Sequence, residues 1–268
     1  MPEGHVLHRL AAEHRRLFAG RPVAVASPQG RFAEGAKLLD GRTLESAEAD
    51  GKHLFLGFDD SWLHIHLGLY GGYTFGPAPA PVPVGQIRLR LAGDDHFADL
   101  RGPTTCELLT PAEKEAVHAR LGPDPLRADA EPERAWQRIS RSRSTVAALL
   151  MDQKILAGVG NVYRAEVLFR HAVSPHRAGR DLTRAEWEAI WQDLVELMGG
   201  GAAIGRIDTV RPEHTPEAMG RPPRVDDHGG EVYVYRRAAM PCLVCGTEVR
   251  TESHAARNLF WCPGCQQK

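Results

Sequence analysis

The spacing of apolar residues changes along the chain. Over residues 3–19, Val6, Leu7, Leu10, Leu17 and Phe18 fall on or near one face at helical spacing, and Gly20 and Pro22 follow. That pattern predicts an amphipathic helix that stops there. Beyond it the period drops to two. HLFLGF (53–58), WLHIHL (62–67) and QIRLRL (86–91) are strand patterns, separated by DDS, GLYGG and PAPAPVPVG, so residues 20–108 are expected to be mostly β. Thr110 to Glu113 then forms a capping box with Pro111 in the first turn, opening a helix that runs to about Leu121.

GPDPLRADAEPE (122–133) has the proline content of an interdomain linker. The helical period returns after it. STVAALLMDQKIL (144–156) is predicted as one helix and NVYRAEVLFRH (161–171) as the next, with AGVG between them. A second capping box, Thr183 with Glu186, opens a helix whose buried face carries Trp187, Ile190, Trp191, Leu194, Leu197 and Met198. GGGAAIG (199–205) is expected to end it and start a flexible loop. VYVYRR, TEVRT and RNLFWC near the C-terminus look like short β segments, and no internal repeat is present. The coarse expectation is α+β: a β-rich N-terminal domain with flanking helices, then a helical domain ending in a small cysteine module.

Composition narrows the class. With 43% hydrophobic and 25% charged residues the chain is globular rather than disordered. No apolar run approaches the roughly 18–20 residues that span a bilayer, and the N-terminus has no apolar signal core. A cytoplasmic protein without a membrane partner is therefore expected. The net charge of −1 hides an asymmetry: Arg134 to Arg180 holds nine Lys/Arg against Asp152 and Glu166, leaving that window at +7 and the remainder at −8. This fits either a local polyanion site or a solvated helix face.

Five cysteines, four of them clustered at the C-terminus, argue for a metal site in a reducing compartment. Cys242-x-x-Cys245, sixteen residues, then Cys262-x-x-Cys265 is a four-thiolate zinc spacing. One structural Zn2+ is expected, because four protein ligands leave no open position for catalysis. Arg250 and Arg257 are placed at the tip of this module, where each meets phosphate or is merely solvated. Cys106 stands alone and is read as a buried thiol. His64 and His66 alternate on one strand face, and lacking a third ligand they are read as structural.

The densest motif is QKILAGVGNVYRAE. Gly158 and Gly160 bend the chain and Asn161 starts the next helix, so backbone N–H groups and the Asn161 side chain make a phosphate seat. A bare GxG turn also fits a simple helix corner; its place in the basic window favours nucleic acid. The opening MPEGHVLHRL has two readings. Pro2 and Glu3 suit a helix start. Equally, removal of Met1 leaves Pro2 as a secondary amine nucleophile with a carboxyl group beside it.

Five blocks in order carry a resemblance: MPEG, GKHLF (51–55), HLGLYG (66–71), DQKILAGVGNVY (152–163) and RNLFWCPGCQ (257–266). Together they resemble the formamidopyrimidine-DNA glycosylase/endonuclease VIII family over essentially the whole chain, and most of all its actinobacterial-type endonuclease VIII branch. The resemblance implies an N-terminal β-sandwich with flanking helices (1–122), a linker (123–134), a helix–two-turn–helix DNA-binding domain (135–230) and a zinc finger (231–268), with DNA in the cleft between domains. It implies a monomeric base-excision glycosylase with apurinic/apyrimidinic (AP) lyase activity on damaged double-stranded DNA. Pro2 is then the attacking amine, once Met1 is removed, and Glu3 the proton donor to the deoxyribose ring oxygen. Lys52 matches the essential hairpin lysine. Asn161 and Arg257 match the phosphate-clamping residues, with Gly158 and Gly160 shaping the turn. Leu69 and Tyr70 would fill the hole left by the extruded base, or else pack in the core. Arg101 would face the orphaned partner.

The chain also departs from the family pattern. Val6 stands where many members carry a second acid, and DLRGPT (99–104) lacks the Phe of the formamidopyrimidine branch wedge. The second departure favours oxidised pyrimidines such as thymine glycol or 5-hydroxyuracil, and the resemblance implies scission by β,δ-elimination. Two alternatives stay open: the same chemistry on oxidised purines (8-oxoguanine, formamidopyrimidines), and a non-catalytic module that binds damaged DNA. A plain zinc-ribbon transcription factor explains neither MPEG nor GKHLF.

Overall fold

The computed structural model describes residues 2–225, 230–254 and 257–267. The chain divides into two compact units, residues 1–120 and 121–268.

The first unit is a β-sandwich with helices. In chain order its elements are α1 (Gly4–Phe18), β1 (Arg21–Pro22), β2 (Ala24–Ala26), α2 (Ala33–Leu39), β3 (Thr43–Leu44), β4 (Ser46–Asp50), β5 (His53–Phe58), β6 (Ser61–His66), β7 (Gly72–Pro77), β8 (Ile87–Ala92), β9 (His96–Arg101), β10 (Thr105–Leu109) and α3 (Pro111–His118). Two antiparallel four-stranded sheets run β10-β6-β5-β4 and β2-β8-β9-β7, and β1 pairs with β3. Period-two alternation explains the core between them. Leu54, Leu56, Leu63 and Ile65 of one sheet meet Val25, Leu89, Leu91, Ala98 and Leu100 of the other, and Leu7, Leu10 and Phe18 of α1 join them. The same alternation turns His53 and Phe55 to the other face of β5. The expected capping box of α3 is present, with Thr110 and Glu113 each accepting the other's N–H. The short helix α2 escapes the period analysis, because only Ala36 and Leu39 of it are buried.

The second unit holds α4 (Pro132–Ile139), α5 (Val146–Met151), α6 (Asn161–Arg170), α7 (Arg184–Ile204), α8 (Pro216–Met219) and the hairpin β11 (Arg250–His254) with β12 (Arg257–Trp261). Trp187, Ile190, Leu194 and Met198 of α7 share a core with Tyr163 and Val167 of α6. Leu259, Phe260, Cys242 and Cys262 belong to that same core, so the cysteine module is seated on the helices.

Four expectations need correction here. Residues 144–156 are not one helix. α5 ends at Met151, and Asp152 takes over the local bonding: its side chain accepts the Lys154 N–H at 2.9 Å and its carbonyl those of Ile155 and Leu156. A short polar side chain competing for backbone donors in this way breaks a helix. The triple glycine at 199–201 does not end α7, which runs on to Ile204 and closes at Gly205 with φ 80°. Burial of Met198 and Gly201 holds that segment helical against glycine's low propensity. The predicted linker ends inside α4, with Pro132 in the first turn of that helix. VYVYRR is not a strand, because its amides bond to a buried carboxylate, Glu166.

The sandwich contains a pH-sensitive core. His14 is fully buried; its Nδ1 lies 2.7 Å from the Leu10 carbonyl and its ring is edge-on to Tyr73 and Phe75 at 4.7 and 5.2 Å. Burial pushes its pKa down to about 4, and burial, with repulsion from the N-terminal ammonium and then His8, does the same for His5. Both rings are neutral in the fold but titrate near 6.5 when unfolded. Stability present above pH 6.5 is therefore lost as pH falls toward 4, by about 3 kcal/mol per ring. The urea midpoint should fall between about pH 7 and pH 4.5, and His14→Leu should remove part of that fall. An unchanged pH dependence in the variant would contradict the assignment.

Candidate nucleic-acid interface and zinc centre

The sandwich unit presents three groups of predicted residues. Pro2 is half-buried and Glu3 fully buried, immediately before α1. Glu3 is the helix N-cap, with extended backbone, and its carbonyl accepts the Val6 N–H at 2.9 Å. Val6 packs against the sandwich core, so the position that departs from the family pattern serves packing. Met1, whose removal is expected, lies outside the described residues.

Lys52 follows Gly51 in the tight turn that joins β4 to β5, where Asp50 pairs with His53 and Gly51 has φ 56°. A two-residue turn between paired strands holds its side chains in a fixed direction. Beneath it runs a chain of imidazoles that register across three strands creates. His53 Nδ1 lies 2.8 Å from His64 Nε2, and His64 Nδ1 lies 3.0 Å from Glu107 Oε1 on β10. His66 Nδ1 accepts the Gly68 N–H at 3.1 Å. Burial pushes His53 down to about 3, with His64 and His66 adding to it, and lowers His66, with repulsion from His64 and Lys52 adding to it. His64 is thus committed to a hydrogen-bonded row with His53 and Glu107, and His66 Nδ1 to the Gly68 N–H. His118 on α3 behaves oppositely. The Asp50 carboxylate, 2.6 Å away, and Glu48 raise it to about 9. Sequence reasoning misses His53 and His118, since a partner on a neighbouring strand or helix has no sequence spacing.

Leu69 and Tyr70 sit at the tip of the β6–β7 connection, 43% and 90% exposed. They are not core residues. The loop under them is tightly built. A Cβ on Gly68, which has φ 66°, would stand 1.9 Å from Thr104 Oγ1, and one on Gly71 2.3 Å from the Leu67 carbonyl. Arg101 pairs across the sheet with Gly72, next to this loop, and its guanidinium reaches the Val84 carbonyl at 3.4 Å. The structure therefore brings Leu69, Tyr70 and Arg101 to one end of the β7–β9 ladder. Cys106, in β10, is half-buried rather than buried, and desolvation pushes its thiol up to about 12.

In the second unit the turn before α6 is stapled by one side chain. Gln153 Oε1 accepts the Gly158 N–H at 3.0 Å, and its Nε2 donates to the Met151 and Val159 carbonyls. Gly158, with φ 85°, is therefore needed for its conformation, its N–H being turned inward. Gly160 is the N-cap of α6. Asn161, 5% exposed, donates through Nδ2 to the Asn258 carbonyl on β12 at 2.9 Å, which places it beside Arg257. Arg257 is exposed and pairs with His254 at the tip of the hairpin. Arg250 pairs with Trp261 at the other end, so the expectation that both arginines share the tip is corrected. The basic window is also only partly available. Arg164 is buried, Arg170 is bonded to Asp193 and Arg177 to Glu186, while Arg138, Arg141, Arg143 and Lys154 stay at least partly exposed.

The four cysteine sulfurs lie within 4.8 Å of one another, with Cys242–Cys265 at 3.8 Å and Cys245–Cys262 at 3.4 Å. Zn–S bonds of about 2.3 Å around a tetrahedron require S···S separations of roughly 3.8 Å. The site therefore suits one structural Zn2+ held by Cys242, Cys245, Cys262 and Cys265. Gln266 ties it to the helices, accepting the Cys262 N–H and donating to the Val173 carbonyl, each at 2.9 Å.

A sandwich with a Pro–Glu start, joined to a helix–two-turn–helix and a four-thiolate finger, is the build of a zinc-finger class of DNA-repair proteins. Family profiles agree along the chain: formamidopyrimidine-DNA glycosylase N-terminal domain over residues 1–106, formamidopyrimidine-DNA glycosylase H2TH domain over 121–211, and zinc finger found in FPG and IleRS over 241–268. The chain is 53% identical to Endonuclease 8 1 of Mycobacterium tuberculosis over 271 residues, covering 99% of this chain and all of the relative. It is 31% identical to probable endonuclease 8 2 of Streptomyces coelicolor, covering 99% of this chain and 94% of that one. Among solved structures, Lactococcus lactis Fpg in complex with abasic-site DNA matches its fold with a TM-score of 0.79 at 22% identity, covering 99% of this chain and 100% of that chain. The chain belongs to the formamidopyrimidine-DNA glycosylase/endonuclease VIII family, and its relatives place it with the actinobacterial-type endonuclease VIII proteins.

Two perturbations test the centre. Chelation of zinc, or Cys262→Ser, should unseat Leu259 and Phe260 and lower the melting temperature, with one equivalent of zinc released to a colorimetric chelator. Full thermal stability after metal removal would contradict a structural zinc. Glu166→Ala, which strands the buried donors of Tyr233, Val234, Tyr235 and Thr209, should cost on the order of 4 kcal/mol in urea unfolding. A loss below about 1 kcal/mol would show that those donors find other partners.

Proposed function

We infer that this protein is a base-excision DNA glycosylase with AP lyase activity, acting on oxidised pyrimidines in duplex DNA. The observation that carries the reading is identity of 53% over essentially the full length of Endonuclease 8 1. The placement of Pro2 and Glu3 at the start of a rigid helix supports it. With Met1 removed, Pro2 is a secondary amine; a terminal amine ordinarily titrates at about 8, so part of it is neutral at physiological pH. Its lone pair attacks the sugar C1′, the bond to the damaged base breaks, and the base leaves with that electron pair. Glu3 gives its proton to the ring oxygen as the sugar opens to an iminium. Elimination of the 3′ and then the 5′ phosphate cuts the strand. Lys52, on its tight turn, grips a phosphate beside the lesion. Leu69 and Tyr70 fill the vacated stack, Arg101 meets the orphaned base, and Asn161 and Arg257 hold the backbone with the turn that Gly158 and Gly160 shape.

The pyrimidine preference rests on the branch and on the missing Phe in Asp99–Thr104. No helix among the described residues is long and apolar enough to cross a membrane. We propose a monomer working at the nucleoid.

The test is strand scission on duplexes with a single thymine glycol, 8-oxoguanine or abasic site. Thymine glycol should be cut faster than 8-oxoguanine, and Glu3→Gln should slow base release by about a hundredfold or more. Faster cutting of 8-oxoguanine would move the protein to oxidised purines. Tight binding to the abasic duplex without scission would leave a non-catalytic damage-binding module.

A further inference from the structure

We propose that Arg164 is a positioning residue for the phosphate clamp: its guanidinium fixes the Asn161 carboxamide with the oxygen turned inward and the NH2 presented to DNA phosphate. The proposal rests on the reading of Asn161 as a phosphate contact.

An Asn side chain is nearly symmetric in shape but not in chemistry. One end only accepts hydrogen bonds and the other only donates. A phosphate oxygen only accepts, so an Asn at a phosphate seat is useful in one of its two flips and repulsive in the other. Left alone, the carboxamide of a helix-first residue rotates between them. Two neighbours remove that freedom here. Arg164 lies one turn along α6, at the i+3 spacing that puts two side chains on one face. It is fully buried, and its Nη2 donates to Asn161 Oδ1. A guanidinium has no acceptor, so the atom it faces has to be oxygen. The Asn258 carbonyl has no donor, and it takes a hydrogen from Asn161 Nδ2 at 2.9 Å. Both partners select the same flip. An NH2 carries two hydrogens and Asn258 takes one, so the group keeps a second donor for an anion.

The guanidinium does a further job. The same Nη2 lies 3.2 Å from the Asn258 carbonyl, so Arg164 bonds the α6 terminus and the β12 strand together. Asn258 follows Arg257, the other proposed clamp residue, and one buried guanidinium nitrogen thereby links two proposed phosphate contacts almost a hundred residues apart. A cation enclosed beneath the seat also favours an anion above it. Both bonds come from a single nitrogen, Nη2, which the planar guanidinium holds in place, and an ammonium on a flexible stem is not held there in the same way. The polar roles on α6 are thus shared. Asn161 meets the ligand and Arg164 acts through it.

The experiment is a double-mutant cycle, reading Kd for a fluorescein-labelled duplex with one tetrahydrofuran abasic analogue, on zinc-loaded full-length protein. Asn161→Ala should weaken binding about tenfold, and Arg164→Met by a similar factor. The double variant should be no weaker than the weaker single one, because Arg164 has nothing left to orient. In steady-state scission the Arg164→Met defect should fall mainly in KM, and Arg164→Lys should recover only part of it. If the two single effects multiply, Arg164 acts by another route and the proposal is overturned, while the clamp stands. If Asn161→Ala leaves Kd unchanged, the clamp reading itself fails and the proposal with it. Should Arg164→Met not fold, Arg164→Lys enters the same cycle, with sub-multiplicative behaviour expected and multiplicative behaviour again decisive against.

Discussion

A carboxylate sealed from water has to be met by hydrogen-bond donors, and Glu166 shows how much structure that requirement organises. Its two oxygens accept the backbone N–H groups of Tyr233, Val234 and Tyr235 and the Thr209 hydroxyl. A stretch that would otherwise pair as a strand is wrapped around one side chain of α6. That wrap leads toward Cys242, so the entry to the zinc module is set from the middle of α6. Arg170, one turn further on, holds Asp193 of α7 and the Thr209 carbonyl. Asn161 and Arg164, toward the start of the helix, hold Asn258. Helix α6 is therefore a polar hub inside an apolar core: Arg164 holds β12, Glu166 the 233–235 stretch, Arg170 holds α7, and Glu166 and Arg170 share Thr209. Buried polar networks of this kind are costly when partly broken and specific when complete.

The same economy of position appears in the sandwich unit. Register puts His53, His64 and Glu107 in one hydrogen-bonded row on the face away from the core, and the Lys52 turn stands at its end. Asp50, the acid nearest that turn in sequence, is engaged by His118 at 2.6 Å. Gly68 and Gly71 let the HLGLYG loop fold back on Thr104 and Leu67, so two exposed side chains, Leu69 and Tyr70, project from a rigid base. The proposed chemistry needs a nucleophile, an acid and a lysine at fixed separations, and rigid turns and helix starts are what the fold provides for each.

Much of this is legible in the residues. Alternation locates β5, β6 and β8, capping boxes mark α3 and α7, and the cysteine spacing defines the metal before any coordinates. The failures share one cause. A tertiary partner outvotes a local signal. Glycines 199–201 stay helical because Met198 and Gly201 are packed, and VYVYRR is kept out of a sheet by Glu166. Asp152 cuts a helix that apolar spacing alone extends. The basic window counts arginines without their partners, and Arg164, Arg170 and Arg177 prove to be engaged internally. Of the candidate site, the opening residues raise Pro2 and Glu3 as one of two readings, and family resemblance decides for them and supplies Lys52, since a lone amine or lysine has no periodicity to betray it. The bond from Asn161 to the finger is invisible, because nothing in a sequence pairs residues 161 and 258.

The central claim is that the amine of Pro2 performs the chemistry. Borohydride trapping on a duplex with one natural abasic site, followed by peptide mapping and mass measurement of the N-terminus, addresses it directly. The account predicts a single covalent adduct on Pro2 in protein that has lost Met1. Protein lacking Met1 that yields no adduct, or one on Lys52, would contradict it.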